Sequence, residues 1–175
     1  MGNSKNVNYT LKQEENDYLL LVDFNQYLNL DKLGRTPSGY TTDASGYTKD
    51  GRYINIELKS RNQNLMDDLT ISGCTSTGKP YSGKTIYIEL HKVGSMLLES
   101  VTMGHTPVYI NFLNDDVVVL FNLLKLRHKY TTTTRRIWSE LYQGFELAKR
   151  AELPLSDAFI YKKENNAYKV LYSPK

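Results

Sequence analysis

Apolar residues gather first between Tyr18 and Val22, inside a stretch whose other positions are largely charged or amide side chains. Thr10 followed by Gln13 has the form of a capping box, so the pattern predicts a helix over residues 11–33, stopped by Gly34 in a left-handed conformation. Its middle is apolar nearly all round, which predicts deep burial and leaves a strand over residues 18–24 as the competing reading. From Ser38 the period shifts to two. Residues 40–47 and 52–59 predict strands, joined by Thr48-Lys49-Asp50-Gly51, a strong hairpin signal. The Gly- and Ser-rich residues 72–83 predict a loop or loose hairpin, followed by a short strand over 85–88. Leu90, Val93, Leu97 and Val101 then form one stripe of a helix over 89–103, with Gly104 as its stop. Two β-rich runs, 107–113 and 117–123, flank Asn114-Asp115-Asp116 and predict another hairpin. A helix over 137–151 and a strand over 158–161 complete the pattern. That order predicts an α/β sandwich around a mixed sheet.

At 175 residues the chain has the length of one domain, and its 40% hydrophobic and 23% charged content is that of an ordinary globular protein. No apolar run approaches the ~18 residues of a membrane span. The polar residues 1–8 lack the apolar stretch of a signal peptide. One cysteine, Cys74, permits no internal disulfide. These features predict a soluble, cytoplasmic protein without a membrane partner. The net charge of +3 is unevenly spread: residues 121–175 carry 11 basic against 5 acidic side chains. Much of that excess lies in Lys125, Arg127, Lys129, Arg135 and Arg136, a patch suited to phosphate contacts or, equally, to a solvated loop.

The chemistry is concentrated in the first hairpin. Period two puts Glu57 and Lys59 on one face of the second strand and Ile56 and Leu58 on the other. The Asp50-Gly51 turn lies midway between Asp43 and Glu57, so folding about it brings the two carboxylates level. Hard oxygen ligands in such a pair suit Mg²⁺, which binds through one or two carboxylates plus substrate phosphate. An adjacent lysine can orient water or neutralise charge developing on phosphate oxygens. An acid, any residue, then lysine is common by chance; the weight comes from its place at a strand end opposite Asp43. The bland alternative is a surface strand carrying a cross-strand ion pair.

Thr42-Asp43-Ala44, Asp50-Gly51-Arg52 and Ile56-Glu57-Leu58-Lys59-Ser60-Arg61 together resemble the core of the PD-(D/E)XK nucleases. The closest flavour is that of archaeal-type Holliday junction resolvases and small phage endonucleases. The likeness continues through Tyr87-Ile88, the following helix and Gly104-His105-Thr106-Pro107-Val108-Tyr109-Ile110-Asn111-Phe112, and covers about residues 11–123. It implies a restriction-endonuclease-like three-layer α/β core within a single 1–175 domain, with a helix-containing C-terminal extension over about 124–175. It implies that Asp43, Glu57 and the Leu58 carbonyl bind Mg²⁺, with Mn²⁺ able to substitute, and that Lys59 stands beside the attacking water. The family often adds an acid from the first helix; of Glu14 and Glu15, Glu15 fits the apolar spacing better. DNA, including branched DNA, is the implied partner. Arg61, Lys125, Arg127, Lys129, Arg135 and Arg136 would contact it, in a homodimer inside a bacterial, archaeal or phage-infected cell. Thr42 stands where the family's name has proline, and residues 62–84 are longer than a compact resolvase needs.

Three other readings stand beside this one: an inactive relative that only binds nucleic acid or protein, an RNA-cutting enzyme with the same site, and a P-loop nucleotide binder. Residues 78–85, Gly78-Lys79-Pro80-Tyr81-Ser82-Gly83-Lys84-Thr85, spell the P-loop pattern, with Asp115 as its distant acid. A P-loop, however, follows a buried strand and opens a helix, whereas Thr85 to Ile88 is β-branched and reads as extended. His91, His105 and His128 have no metal-ligand spacing. His91 and Lys92 open the second helix and are candidates to face the site. Trp138 reads as a packing anchor.

Overall fold

The computed structural model describes residues 4–37, 40–74, 78–127, 129–139 and 144–175. Helix α1 (Ser4–Leu28) leads into β1 (Asp31–Arg35), β2 (Ala44–Tyr47) and β3 (Tyr53–Ser60). Strands β4 (Gln63–Met66), β5 (Thr70–Cys74) and β6 (Pro80–Gly83) follow, then β7 (Thr85–Glu89) and helix α2 (Leu90–Met103). The chain continues through β8 (Thr106–Phe112), β9 (Val117–Asn122), β10 (Thr131–Ser139), β11 (Gly144–Pro154), β12 (Phe159–Glu164) and β13 (Ala167–Tyr172). The fold is mixed α/β, built on a seven-stranded sheet in the order β1-β2-β3-β8-β9-β12-β13. Within it β3 and β8 run parallel and the other neighbours antiparallel. Two smaller sheets, β10-β11-β7 and β4-β5-β6, accompany it.

Strict alternation along the central strands produces two cores. Ile56, Leu58, Val108, Ile110, Phe112 and Val118 pack with Leu21 and Phe24 of α1. Tyr109, Val117, Val119 and Phe121 look the other way, onto Val93 and Met96 of α2 and onto Ile86, Ile88, Ala151 and Leu153 of the β7–β11 pair. The sheet is therefore covered on both faces, which is why β9 is apolar from Val117 to Phe121 and β8 is apolar from Val108 to Phe112 apart from Asn111. At its far edge Asp23 of α1 accepts hydrogen bonds from Lys163 Nζ and Tyr168 Oη, each 2.7 Å, tying the helix to β12 and β13. Those two donors hold the Asp23 carboxyl below its ordinary pKa.

Several elements match the sequence pattern. The β2–β3 hairpin turns at Gly51 (φ 80°), β8–β9 turns at Asp115 and Asp116 with φ of 58° and 57°, and α2 ends at Gly104 (φ 72°). Others differ for identifiable reasons. Helix α1 stops at Leu28, short of Gly34, because Asn29 takes the left-handed conformation (φ 56°) while the Asn25 side chain bonds both the N–H and the carbonyl of Leu30. Gly34 lies in β1, opposite Ser45. The strand expected over 40–47 begins only at Ala44. On α2 Val101 is 84% exposed, and Met96 completes the buried stripe in its place.

The helix expected over 137–151 is absent from the described residues of that stretch, which belong to β10 and β11. Its residues favour helix locally, but Ala151 and Leu153 alternate into the core opposite Ile88 and Ile86, and that burial outweighs propensity. The C-terminal residues consequently supply strands to two sheets rather than a helical extension. The turn into β13 carries its own signal, Asn165-Asn166, both at positive φ, between alternating runs. Residues 80–83 and 85–89 are strands, so no helix follows Lys84 and the P-loop geometry is not formed. Asp115 sits in the β8–β9 turn. His128 and the flank 75–77 lie outside the described residues, as does the side chain of Trp138.

Phe24 is fully buried among Tyr27, Tyr161 and Tyr168, with ring centroids 5.9, 5.2 and 4.8 Å away. Phe24→Ala is expected to lower unfolding free energy by about 3–5 kcal/mol in urea denaturation. Leu19→Ala, on the exposed side of the same helix, should stay within about 0.5 kcal/mol of wild type. Equal losses would mean that α1 does not pack in this orientation.

Candidate active site

The register of β2 on β3, Ala44 opposite Ile56 and Ser45 opposite Asn55, brings Asp43 level with Glu57, as the spacing predicts. The backbone of Asp43 is held from both sides: its N–H donates to the Ile56 carbonyl (3.0 Å) and its carbonyl accepts from Thr36 (3.1 Å). Asp43 Oδ2 accepts the backbone N–H of Leu58 at 2.8 Å. Glu57 is 4% exposed, on the face of β3 opposite Ile56 and Leu58. Both acids, with Leu58, Lys59 and Lys92, line a cleft of about 480 Å³ between the sheet end and the first half of α1. Lys59 itself is exposed at its rim.

The electrostatics follow from this crowding. Burial, reinforced by the nearby Asp43 charge, pushes the Glu57 carboxyl up to about 7, although Lys92 acts in the opposite sense. Lys92 Nζ donates to Glu57 Oε1, forming an ion pair with side-chain exposures of 29% and 6%. Burial lowers the pKa of that ammonium, but the charges of Glu57 and Asp43 outweigh it and the net direction is upward. Glu57 Oε2 is buried with no hydrogen-bond partner. An unpartnered buried carboxylate oxygen is costly, and a bound ion or water would satisfy it.

Helix α1 contributes a different acid from the one the spacing favours. Glu15 is exposed and does not line the cleft, whereas Glu14 and Asp17 do. Glu14 faces Arg35 at 3.9 Å. Asp17 is buried and accepts from both the side-chain hydroxyl and the backbone N–H of Ser60, so it anchors the end of β3. The i, i+3 spacing of Glu14 and Asp17 was the available signal, since it places both on one helix face.

The basic residues do not form one surface. Arg61 is turned inward: its Nε donates to Asn111 Oδ1 (2.7 Å), its Nη2 to the Tyr109 hydroxyl (2.7 Å) and to the Tyr87 carbonyl, and its guanidinium lies 4.2 Å from the Tyr87 ring centroid. Its bonds hold the end of β3 to β7 and β8. Lys125 lines a groove with Thr48, Arg52 and Thr106, at the opposite end of β3 from Glu57. Arg127 and Lys129 are exposed on the segment leading to β10, and Arg135 and Arg136 are exposed on β10. Of the two helix-opening candidates, Lys92 reaches the site, while His91 is 74% exposed and pairs with Glu89 at 3.6 Å. His105 packs elsewhere, beside Asn55 and Tyr53.

Among the described residues no group of three or more His, Cys, Asp or Glu side chains is arranged for a metal. The acidic side chains lining the cleft beside Leu58 include the carboxylates of Asp43 and Glu57, which offer oxygen donors. Together with the unpartnered Glu57 Oε2, that set fits a hard divalent cation which keeps most of its waters.

No family model matches the chain, and no curated protein sequence matches it. Among solved structures the chain is similar to a Holliday junction resolvase from the archaeal hyperthermophile Archaeoglobus fulgidus, with 14% identity and a TM-score of 0.47, covering 82% of this chain and 84% of that one. Among the described residues no helix is long and apolar enough to cross a membrane.

The raised Glu57 pKa makes stability depend on pH. A carboxyl whose folded pKa of about 7 exceeds its ordinary 4.5 favours the folded state most below pH 4.5, and that contribution is lost as pH rises to about 7. Glu57→Gln has no such loss. The stability of wild type relative to the variant, from urea midpoints, should fall by about 3 kcal/mol between acid and mildly alkaline pH. A difference independent of pH would contradict the buried charge.

Proposed function

We propose that the chain is a Mg²⁺-dependent nuclease that hydrolyses DNA phosphodiester bonds, of the junction-resolvase or phage-endonuclease type. The observation that carries the reading is the pair Asp43 and Glu57, level across two strands in one cleft with two lysines at hand. The residue pattern from Thr42 to Arg61 supports it independently, through its resemblance to the PD-(D/E)XK nucleases.

In this reading Asp43, Glu57 and the Leu58 carbonyl hold the cation. A divalent ion there supplies electrophilic activation of the phosphate and makes water more acidic. The chain's own residues prepare the rest. The Leu58 N–H fixes the orientation of the Asp43 carboxylate. Lys92 compensates the Glu57 charge and keeps that side chain aimed into the cleft. Lys59, at the rim, would orient the attacking water and neutralise charge developing on the phosphate oxygens. The Asp17–Ser60 contacts keep the end of β3, and with it Lys59, in place. A cytoplasmic homodimer acting on branched DNA is the assembly this reading favours, with Mn²⁺ able to replace Mg²⁺.

Labelled branched, duplex and single-stranded DNA, incubated with Mg²⁺ or EDTA, tests the proposal. Nicks are expected only with the metal, and Lys59→Ala should slow them by a factor on the order of 10²–10³, as for loss of one group acting on transition-state charge. Lys92→Met should retain the fold and also cut more slowly. Lanes unchanged by metal, or cleavage that survives Glu57→Ala, would sink the assignment.

A further inference from the structure

Strands β10 and β11 form a ribbon longer than the sheet that supports it. They pair along their whole length, from Thr131 opposite Glu152 to Ser139 opposite Gly144. β7 covers only residues 150–154 of β11, with Arg150 opposite Glu89 and Pro154 opposite Thr85. Among the described residues, 144–149 therefore pair with β10 alone, and β10 is an edge strand. At ~3.3 Å per residue this two-stranded part extends roughly 20 Å beyond β7.

The root of the ribbon is fixed close to the catalytic cleft. Glu89, opposite Arg150, immediately precedes α2, whose Lys92 holds Glu57, and Glu89 is near enough to contribute to the raised pKa of Glu57. The guanidinium of Arg150 lies 4.0 Å from the Tyr87 ring centroid and that of Arg61 lies 4.2 Å from the same centroid. Arg61 is bonded in turn to Asn111 and Tyr109 of β8. The ribbon is thus keyed through one aromatic ring to the strand that carries Glu57 and Lys59.

Its charge is arranged for a polyanion. Register places Arg135 on the face shared with Arg150, and Arg136 and Lys149 on the opposite face. Arg135, Arg136 and Lys149 are all exposed; the contact of Arg135 with Glu152 is long, at 3.8 Å. Thr131, Thr132 and Thr134 add exposed hydroxyls along the edge strand. Cations on both faces suit a ribbon that has a phosphate strand on either side. The B-DNA major groove, about 12 Å wide, admits a two-stranded ribbon, whereas the A-form groove of RNA is deep and narrow.

We infer that the β10–β11 ribbon enters the major groove of a B-form DNA duplex whose backbone lies in the cleft. This rests on the nuclease reading and narrows its substrate to double-stranded DNA next to the cut. Fluorescence anisotropy of labelled duplex DNA in EDTA, over a series of salt concentrations, tests it with R135Q/R136Q/K149Q and with K149Q alone. Each lost phosphate contact removes about 0.9 from the slope of log affinity against log salt, so the triple variant should be shallower by about 2–3 and the single one by about 1. Wild type should bind duplex DNA on the order of tenfold more tightly than duplex RNA of the same sequence. Thermal melting of the variants checks that they fold. Unchanged slopes, or equal binding of the RNA duplex, overturn the ribbon's role. If wild type nonetheless cuts DNA with Mg²⁺, the nuclease reading survives that failure. Absence of both duplex binding and cleavage in wild type removes both.

Discussion

Two carboxylates that repel each other are kept side by side because their backbones are committed elsewhere. Asp43 is pinned by Ile56 and Thr36, and Glu57 by the pairing of β3 with β2 on one side and with β8 on the other. Neither strand can slip by one residue without turning Ile56 and Leu58 out of the α1 core. The hydrophobic pattern therefore enforces an electrostatically unfavourable arrangement, and Lys92 relieves it only in part. What remains is a buried carboxyl with a raised pKa and one unpartnered oxygen, a site poised for a cation.

The surrounding structure repeats this logic of rigid support. Helix α2 is fastened to the sheet at two points, by Lys92 on Glu57 and by Glu99, which accepts hydrogen bonds from Thr41 and Asn55. The second contact bridges β3 to the segment that carries Asp43. On the other side, Asp17 of α1 fixes Ser60, one residue after Lys59. Asp43, just before β2, and Glu57 and Lys59 on β3 thus each sit within two residues of a contact made to a helix, which is how a site is held to the tolerance that chemistry requires.

Much of this was legible in the order of residues. Asp50-Gly51 identified the hairpin, its position gave the Asp43–Glu57 register, and alternation at Ile56 and Leu58 assigned the faces. These features are local, so period and turn chemistry reveal them. The misread parts depend on distant partners. Residues 144–151 have helical propensity but pair with β10, and from Arg150 onward also with β7, more than fifty residues earlier, so they become a strand. Arg61 looks like a phosphate ligand until Tyr87, Tyr109 and Asn111 enclose it. Glu15 yields to Glu14 and Asp17 because the rotation of α1 is set by Leu21 and Phe24 below it. Lys92 was visible only as a helix-opening residue, and its partner lies across the crossover.

The account stands on the convergence of Asp43, Glu57 and the Leu58 carbonyl on one cation. Diffraction from crystals grown with Mn²⁺, with data collected at an energy where manganese scatters anomalously, locates such an ion directly. A single strong anomalous peak in contact with both carboxylates, and its disappearance in Asp43→Asn, is the predicted result. A peak bound elsewhere, or none in the cleft while Lys92 still occupies Glu57, would contradict it.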